Sequence, residues 1–306
     1  MQKLLLSIVF ISLVSLSSFG QYNLDYGFSV GGSNYLGEVG GGEGVGRGFV
    51  SDMELGFTKW TIGGFVRYKL SQKFAIKGSL NYIRLAGDDL KSDNPGRTAR
   101  NLNFKNDMFE FLGTGEFYVY QVNDVGGTGR YNTDFNLYIF GGAGVFYSSP
   151  KGQRTDGEWV SLRPLKTEGV SYSSINLAIP LGVGFYYTLQ RKYRLGLEIG
   201  WRTTFTDYID DISTNYINDP DGISNKTNQE LLDEINSTIA EEDGNVSLRN
   251  FTVGSKRGNP DNNDSYMTAT VNFSWAIRGK SKFYKSRNSW VLGKKKRRRR
   301  KSRAKF

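Results

Sequence analysis

Eight segments of the chain alternate apolar and polar side chains over about eight to fifteen residues each. In a β-strand successive side chains point to opposite faces, so each of these segments has one apolar face and one polar face. The clearest segment runs from 175 to 189, and its apolar parity consists of Ile175, Leu177, Ile179, Leu181, Val183, Phe185, Tyr187 and Leu189. This pattern is typical of strands that turn one face to lipid and the other to the interior of a membrane β-barrel.

The connections between the eight segments are alternately long and short. The predicted strands are Tyr22 to Val30, Trp60 to Tyr68, Phe74 to Tyr82, Phe109 to Val119, Phe135 to Tyr147, Ile175 to Leu189, Tyr193 to Phe205 and Met267 to Ile277. In outer-membrane barrels long loops face outside and short turns face the periplasm. The sequence therefore predicts an all-β, eight-stranded antiparallel up-and-down barrel with four long extracellular loops and both termini in the periplasm.

The first residues have the pattern of a secretory signal peptide. Lys3 precedes an apolar run from Leu4 to Val14, and small residues stand one and three positions before a cut at Gln21. The run is too short to span a bilayer as a helix, which takes about 20 residues. We therefore divide the chain into a signal peptide (1–20), an outer-membrane barrel (21–277) and a basic periplasmic tail (278–306).

The net charge of +10 is unevenly distributed along the chain. Residues 278–306 contain 15 Lys or Arg and no acid, whereas residues 21–277 contain more acids than bases. A basic run of this kind in a cytosolic protein would indicate nucleic-acid binding or nuclear import. Because the chain is expected to be exported, we predict no nucleic-acid partner.

Charged residues occur on the parity that faces the barrel interior, where a charge is tolerated only when it is paired and hydrogen-bonded. They comprise three bases and three acids: Arg67, Lys77, Glu110, Glu116, Glu198 and Arg202. We interpret them as a structural plug, with Glu198 and Arg202 as its first expected members, and a catalytic pair as the alternative.

Two further groups stand near the predicted strand ends. Tyr and Trp residues near the strand ends, most of which share the lipid-facing parity, predict aromatic girdles, and the alternative is a soluble sheet rich in β-favouring residues. Their members are Tyr22, Trp60, Tyr68, Tyr82, Tyr193, Trp201 and Tyr208. Asp207, Asp210 and Asp211 follow strand seven, and we expect a solvated acidic rim there rather than a cation site, because their spacing fits no calcium loop.

Five ordered sequence blocks resemble one known family. They are Gly32 to Glu38, Arg100 to Lys105, Leu162 to Gly169, Glu198 to Arg202 with Thr204 to Tyr208, and Arg257 to Pro260. These blocks are similar to the PorG-like outer-membrane barrels of the type IX protein secretion system, and the similarity covers nearly the whole mature barrel. The resemblance implies a component that joins a periplasmic ring, made of a lipoprotein and a partner ring protein, to the outer membrane.

The resemblance implies neither an enzyme nor a cofactor. The residues agree, because the sequence contains no His and no Cys and so lacks the usual general base, the commonest metal ligand and any disulfide. We expect outer-membrane lipid as a further partner and no small-molecule substrate. A lipid-modifying or proteolytic barrel enzyme, which would need carboxylates or a serine with an unusual base, is the alternative from another class.

The tail carries the recognition chemistry that is visible in the sequence. Apolar residues scattered among bases suit a disordered peptide that becomes ordered when it binds an acidic groove, and the expected docking residues are Phe283, Tyr284, Trp290, Lys294, Arg297 and Arg300. The alternatives are a solvated tail and contact with anionic headgroups, worth ~1 kcal/mol per basic residue. For the whole chain, the alternative is a passive barrel that stabilises the envelope without a role in secretion.

Overall fold

The structure is a computed structural model that describes residues 24–39, 55–92, 95–122, 133–154, 156–190, 192–218 and 251–277. The expected signal peptide, Tyr22 and the whole basic tail with its six expected docking residues lie outside the described residues. No helix within the described ranges is both long and apolar enough to cross a membrane.

Eight long antiparallel strands form a closed barrel, which confirms the predicted fold. Consecutive barrel strands are hydrogen-bonded neighbours, and the first strand also pairs with the last, so no long strand is left at an edge. The barrel strands are β1 (Leu24–Leu36), β2 (Lys59–Lys69), β3 (Phe74–Asp88), β4 (Asn103–Val122), β5 (Thr133–Tyr147), β8 (Ile175–Leu189), β9 (Tyr193–Thr204) and β10 (Ser265–Ile277). We call the end with the β2–β3 and β8–β9 turns the turn end, and the opposite end the loop end.

Three strands extend six residues further at the loop end than the sequence predicted. β1 continues to Leu36 rather than Val30, β3 to Asp88 rather than Tyr82, and β4 begins at Asn103 rather than Phe109. Apolar residues are required on the outward parity only where that face meets hydrocarbon, whereas the backbone ladder can continue beyond it. In the extended part of β3 the inward residues Ile83 and Leu85 are fully buried beneath the loops.

A short hairpin in the third long loop was not predicted. Its strands are β6 (Pro150–Gln153) and β7 (Trp159–Ser161), and β6 pairs with the first residues of β4. Strands of four and three residues are too short for alternation to identify them. A one-turn helix, α1 (Pro95–Arg100), and short 3-10 turns at Leu55–Phe57, Asp89–Lys91 and Arg163–Leu165 complete the described elements.

The outer surface of the barrel is apolar along every barrel strand. On β8, for example, Leu177 and Leu181 are each 57% exposed, although both are large apolar side chains. Such exposure would be unfavourable in water over so large a continuous area, but it fits a surface covered by lipid. The predicted strand parity therefore describes the outward face.

Aromatic side chains lie near both ends of this apolar surface. At the loop end the rings of Trp60 and Tyr82 are stacked with centroids 4.9 Å apart, and Tyr82 lies 5.2 Å from Phe109. At the turn end Tyr26 stacks on Trp275 at 5.9 Å. Aromatic rings at these two levels are what the girdles of a membrane barrel require.

Two clusters of buried apolar residues fill the interior at different heights. The cluster toward the turn end consists of Ala75, Tyr118, Tyr138, Phe140 and Tyr186. The larger cluster, toward the loop end, includes Tyr35, Ile83, Leu85, Phe104, Met108 and Ile209. Because Ile209 comes from the connection after β9, a loop contributes to the core at this end.

Candidate functional site

The first candidate is the set of charged side chains inside the barrel. Arg67 on β2 contacts two carboxylates, with Nε 2.9 Å from Glu116 Oε1 and Nη1 3.2 Å from Asp25 Oδ2. Asp25 also accepts from Arg194 on β9 and from the Ser274 hydroxyl. Asp25 and Arg194 were missing from the predicted set, although Asp25 stands on the inward parity of the first predicted strand.

A second part of the same network lies around Lys77 on β3. Its Nζ is 2.5 Å from Glu198 Oε2 and 3.8 Å from Glu116 Oε1, so Lys77 links two strands that are not neighbours. Tyr138 donates a hydrogen bond to Glu198 Oε2 at 2.8 Å and accepts one from Arg67 Nη2 at 3.3 Å. Each of these charged groups therefore has a partner of opposite charge.

Arg202 and Glu110 form the third part, closer to the loop end. Arg202 Nε lies 3.3 Å from Glu110 Oε1, and Glu110 also accepts hydrogen bonds from Tyr266 and Asn81 at 2.7 and 2.8 Å. Glu198 and Arg202 thus belong to the network, but each pairs with a residue from another strand. The structure places all six predicted residues inside the barrel and engages each in an ion pair.

This network leaves little free space in the interior. The cavity between the two apolar clusters is lined by polar side chains such as Ser79, Thr114 and Thr268, and its volume is about 20 Å³. A volume of this size holds roughly one or two water molecules. This cavity is therefore too small for a small organic molecule.

The second candidate is an assembly of loops and strand ends at the loop end of the barrel, which we call the loop-end cap. Its central residues are Glu38, Asp89, Arg100, Glu168, Asp211 and Arg257. At its centre Arg100 of α1 donates to Asp89 from Nε at 2.7 Å and from Nη2 at 3.0 Å. Arg100 also donates to the backbone carbonyls of Glu38 at 2.8 Å and Arg257 at 3.3 Å. One buried guanidinium thus connects three separate loops.

Arg257 has a similar role on the other side of the loop-end cap. Its Nη1 donates to Glu168 Oε1 at 2.8 Å and to the Asp211 carbonyl oxygen at 2.5 Å. Glu168 in turn accepts hydrogen bonds from the backbone nitrogens of Ser213 and Thr214 at 3.0 and 2.9 Å. The long connection after β9 is therefore fixed to the third loop by a buried ion pair.

The three aspartates after β9 do not form the solvated acidic rim that we expected from the sequence. Asp207, Asp210 and Asp211 are only 6%, 2% and 0% exposed, because the chain folds back over the barrel mouth and carries them inward. A fourth buried carboxylate, Asp264, accepts hydrogen bonds from the Tyr35 hydroxyl at 2.5 Å and from the Ile209 nitrogen at 2.8 Å.

Burial changes the acidity of these carboxyls. Desolvation and the nearby Asp264 carboxylate raise the pKa of Asp207 to about 8, and burial raises the pKa of Asp264 to about 7. Burial likewise raises the pKa of Asp210 well above its usual value, with Asp264 and Glu38 adding to the rise. Burial raises the pKa of Asp211 to about 6, although the Arg257 charge opposes the shift.

The acidic residues of the loop-end cap do not make a metal centre. No group of three or more acidic side chains within the described residues is arranged to hold a metal ion. The carboxyls of Asp211 and Glu168 are instead used by Arg257, Tyr172 and backbone nitrogens. The loop-end cap is thus a hydrogen-bonded closure of the barrel.

The closed barrel and its outward apolar surface support a location in an outer membrane. Three crystal structures are similar to the chain over most of its length, and each shares little sequence with it. The Neisserial surface protein NspA is 6% identical over 85% of this chain and 100% of its own, with a TM-score of 0.37. OprG of Pseudomonas aeruginosa is 11% identical over 85% and 99%, with a TM-score of 0.36. Ail of Yersinia pestis is 9% identical over 83% and 98%, with a TM-score of 0.34.

Sequence comparison assigns the chain to a family. No curated protein resembles the chain in sequence strongly enough to count as a relative. The model of the family described as "Domain of unknown function (DUF6089)" matches residues 2–220, and the chain therefore belongs to that family.

Proposed function

We propose that this DUF6089 barrel is a non-catalytic component of a type IX protein secretion machinery that anchors a periplasmic ring to the outer membrane. The partners would be the ring lipoprotein and its partner ring protein. The observation that carries the proposal is that four of the five sequence blocks resembling PorG-like barrels meet at one place in the structure, the loop-end cap.

Direct contacts join four of these blocks. Arg100 donates to the Glu38 carbonyl oxygen at 2.8 Å, and the Asn259 nitrogen donates to Glu38 Oε1 at 2.6 Å. Arg257 binds Glu168, which belongs to the third block. Residues so distant in sequence meet only if the loops fold in one particular way. The four blocks therefore build one loop architecture in this chain, and this joint role is what supports the proposed kinship with the secretion barrels.

The filled interior supports a role as an anchor rather than as a passage for cargo. Ion pairs such as Arg67 with Glu116 occupy the lumen toward the turn end, and the apolar cluster around Ile83 and Tyr266 fills it toward the loop end. Opening a route would require the partners of buried ion pairs to separate. Leaving one buried charge without its partner typically costs about 3–5 kcal/mol. Any contribution to secretion would therefore come from the outer surfaces.

The turn end would then face the periplasm and the partner proteins. The described residues there include the exposed Ser71, Lys73 and Lys192 on short turns. In the same compartment the basic tail would dock through Phe283, Tyr284, Trp290, Lys294, Arg297 and Arg300, which lie outside the described residues. Its many positive charges would accelerate encounter with an acidic partner and make the affinity fall with salt.

Deleting the gene and measuring cargo export tests the secretion role. We expect export to fail in the deletion strain and to return with the full chain. Normal export without the gene would contradict the secretion role and favour the alternative, a passive barrel that stabilises the envelope.

Truncation tests the docking contact separately. A chain without residues 278–306 is expected to insert as a heat-modifiable barrel but to co-purify less with the ring proteins. As a matched pair, one variant replaces Phe283, Tyr284 and Trp290 with Ser, and the other replaces residues 294–301 with Gln. If the salt dependence of co-purification is lost only in the Gln variant, the charges of residues 294–301 drive the encounter with the partner. If the truncated chain co-purifies as much as the full chain, the contact lies on the short turns instead.

A further inference from the structure

Two lysines face each other on neighbouring strands at the loop end. Lys105 on β4 lies directly opposite Lys151 on β6. Like charges in directly opposite positions destabilise an antiparallel pair, so this position is unfavourable unless something compensates the charge. The Lys105 ammonium lies 3.9 Å from the centroid of the Trp159 ring, which attracts a cation but carries no net negative charge.

Lys105 lies on the outward face of the barrel, just beyond the apolar surface. Lys105 shares the outward parity of β4 with Asp107 and Phe109, and Phe109 is 61% exposed within the loop-end aromatic girdle. Lys105 lies four residues closer to the loop end than Phe109, a distance of about 13 Å along a strand. Lysine side chains at this level extend into the headgroup region of a bilayer.

The nearby charges leave this surface positive. Lys151 and Arg84 repel the Lys105 ammonium, and Asp107 attracts it. Asp107 is already engaged by Arg84, with Nε 2.6 Å from Oδ1 and Nη2 3.1 Å from Oδ2. The four side chains together carry three positive charges and one negative charge. Because Arg84 and Asp107 neutralise each other, the excess positive charge lies on Lys105 and Lys151.

We propose that Lys105 and Lys151 form a binding site for the phosphate of an anionic lipid in the outer leaflet, with the acyl chains lying on the girdle formed by Trp60, Tyr82 and Phe109. A phosphate between the two ammonium groups replaces their mutual repulsion with two charge-assisted contacts. The inference rests on the proposed outer-membrane orientation, in which the loop end faces outside, but not on a role in secretion.

The test measures lipid binding to the full purified chain in neutral detergent by native mass spectrometry. The probes are lipid A with both phosphates, lipid A without phosphates, and inorganic phosphate as a competitor. We expect the phosphorylated lipid to bind wild type at least tenfold more tightly than the Lys105→Ser/Lys151→Ser variant. Removal of the lipid phosphates should reduce wild-type binding to a similar degree.

Two variants control for charge and for folding. Lys73→Ser/Lys192→Ser removes two exposed lysines from the turn end and should retain wild-type binding. Lys105→Arg/Lys151→Arg keeps the charges and should retain most of the binding, provided that heat-modifiability confirms a folded barrel.

Equal affinity of wild type and the Lys105→Ser/Lys151→Ser variant would overturn the proposal, as would equal losses in the turn-end control. Competition by millimolar inorganic phosphate would assign the site to a soluble anion and overturn the lipid assignment. Cargo export is measured in the same variant strains, so loss of lipid binding with normal export separates this site from the secretion role.

Discussion

Arg67 on β2 and Glu116 on β4 form an ion pair across the barrel interior, with 2.9 Å between Arg67 Nε and Glu116 Oε1. Their strands are not neighbours, because β3 lies between them. Neither side chain is more than 2% exposed. The pair therefore connects parts of the wall that the backbone ladder does not join directly.

Glu116→Gln is expected to destabilise the barrel strongly. The substitution leaves Arg67 buried with only Asp25, a carboxylate that Arg194 shares. Removing one partner of a buried ion pair typically costs about 3–5 kcal/mol. Urea unfolding in lipid vesicles, followed by tryptophan fluorescence, measures the change. Glu158→Gln, at an exposed position of the hairpin, should change the free energy of unfolding by less than about 0.5 kcal/mol.

Leu181→Arg tests the orientation of the strands. Leu181 points outward near the middle of β8 and is 57% exposed, so the charge would lie in the hydrocarbon region. We expect a loss of about 2–4 kcal/mol in folding free energy. Val253→Arg, in an exposed loop, should leave stability and assembly unchanged. Heat-modifiable migration of Leu181→Arg at the wild-type level would contradict the assignment of the lipid-facing parity.

Gly182→Ala tests how tightly the interior is packed. A Cβ at Gly182 would overlap the Ile199 carbonyl oxygen and lie 2.5 Å from Phe140 Cζ, so the ring and the backbone would have to move. Overpacking of this kind costs about 1–3 kcal/mol. Gly78→Ala is the matched control, because a Cβ at Gly78 meets nothing within 4 Å. Equal unfolding midpoints for the two variants would show that the ring of Phe140 is not fixed.

The buried carboxyls of the loop-end cap should make stability depend on pH. Burial raises the pKa of Asp207 to about 8 and that of Asp264 to about 7, whereas unfolded aspartate has a pKa near 3.9. The folded chain therefore binds more protons in this range. The stabilisation is fully present below about pH 4 and is lost as the pH rises through the folded pKa values.

We accordingly expect the free energy of unfolding to fall between pH 5 and pH 8, by at most about 1.4 kcal/mol per pH unit for each group. Urea titrations at several pH values measure the slope. Asp207→Asn should reduce the slope because the amide does not titrate, whereas Asp261→Asn, at an exposed position, should leave it unchanged. A wild-type slope of zero or of opposite sign would contradict the assigned protonation.

The strands that lie wholly within the lipid-facing region could be predicted closely from the sequence. β8 has its predicted bounds, and β5 begins two residues earlier than predicted, because lipid on one face and side chains on the other impose alternation along the whole length. The predicted start of β4, Phe109, lies six residues after the observed start at Asn103. Beyond the hydrocarbon region its outward residues Lys105 and Asp107 are charged and β4 pairs there with a hairpin, so the pattern no longer identifies a strand.

The candidate sites could be predicted only in part. Inward parity identified Arg67 and Glu116 as buried, because any charge on that parity must lie inside. Parity could not pair Arg202 with Glu110, since that contact depends on which strands face each other across the lumen. The expected exposure of Asp207 was wrong because a loop's path over the barrel mouth leaves no periodic signal.

The sequence by itself determined the two-faced strands, their order and the closed antiparallel barrel, because side-chain alternation is a local property that the solvent on each face selects. Only the tertiary structure decided the ion pairs across the lumen, the burial of Asp207 and Asp264, and the opposition of Lys105 and Lys151. These features depend on strand register and on loops that fold back over the barrel mouth. Such long-range contacts join residues that no sequence period relates.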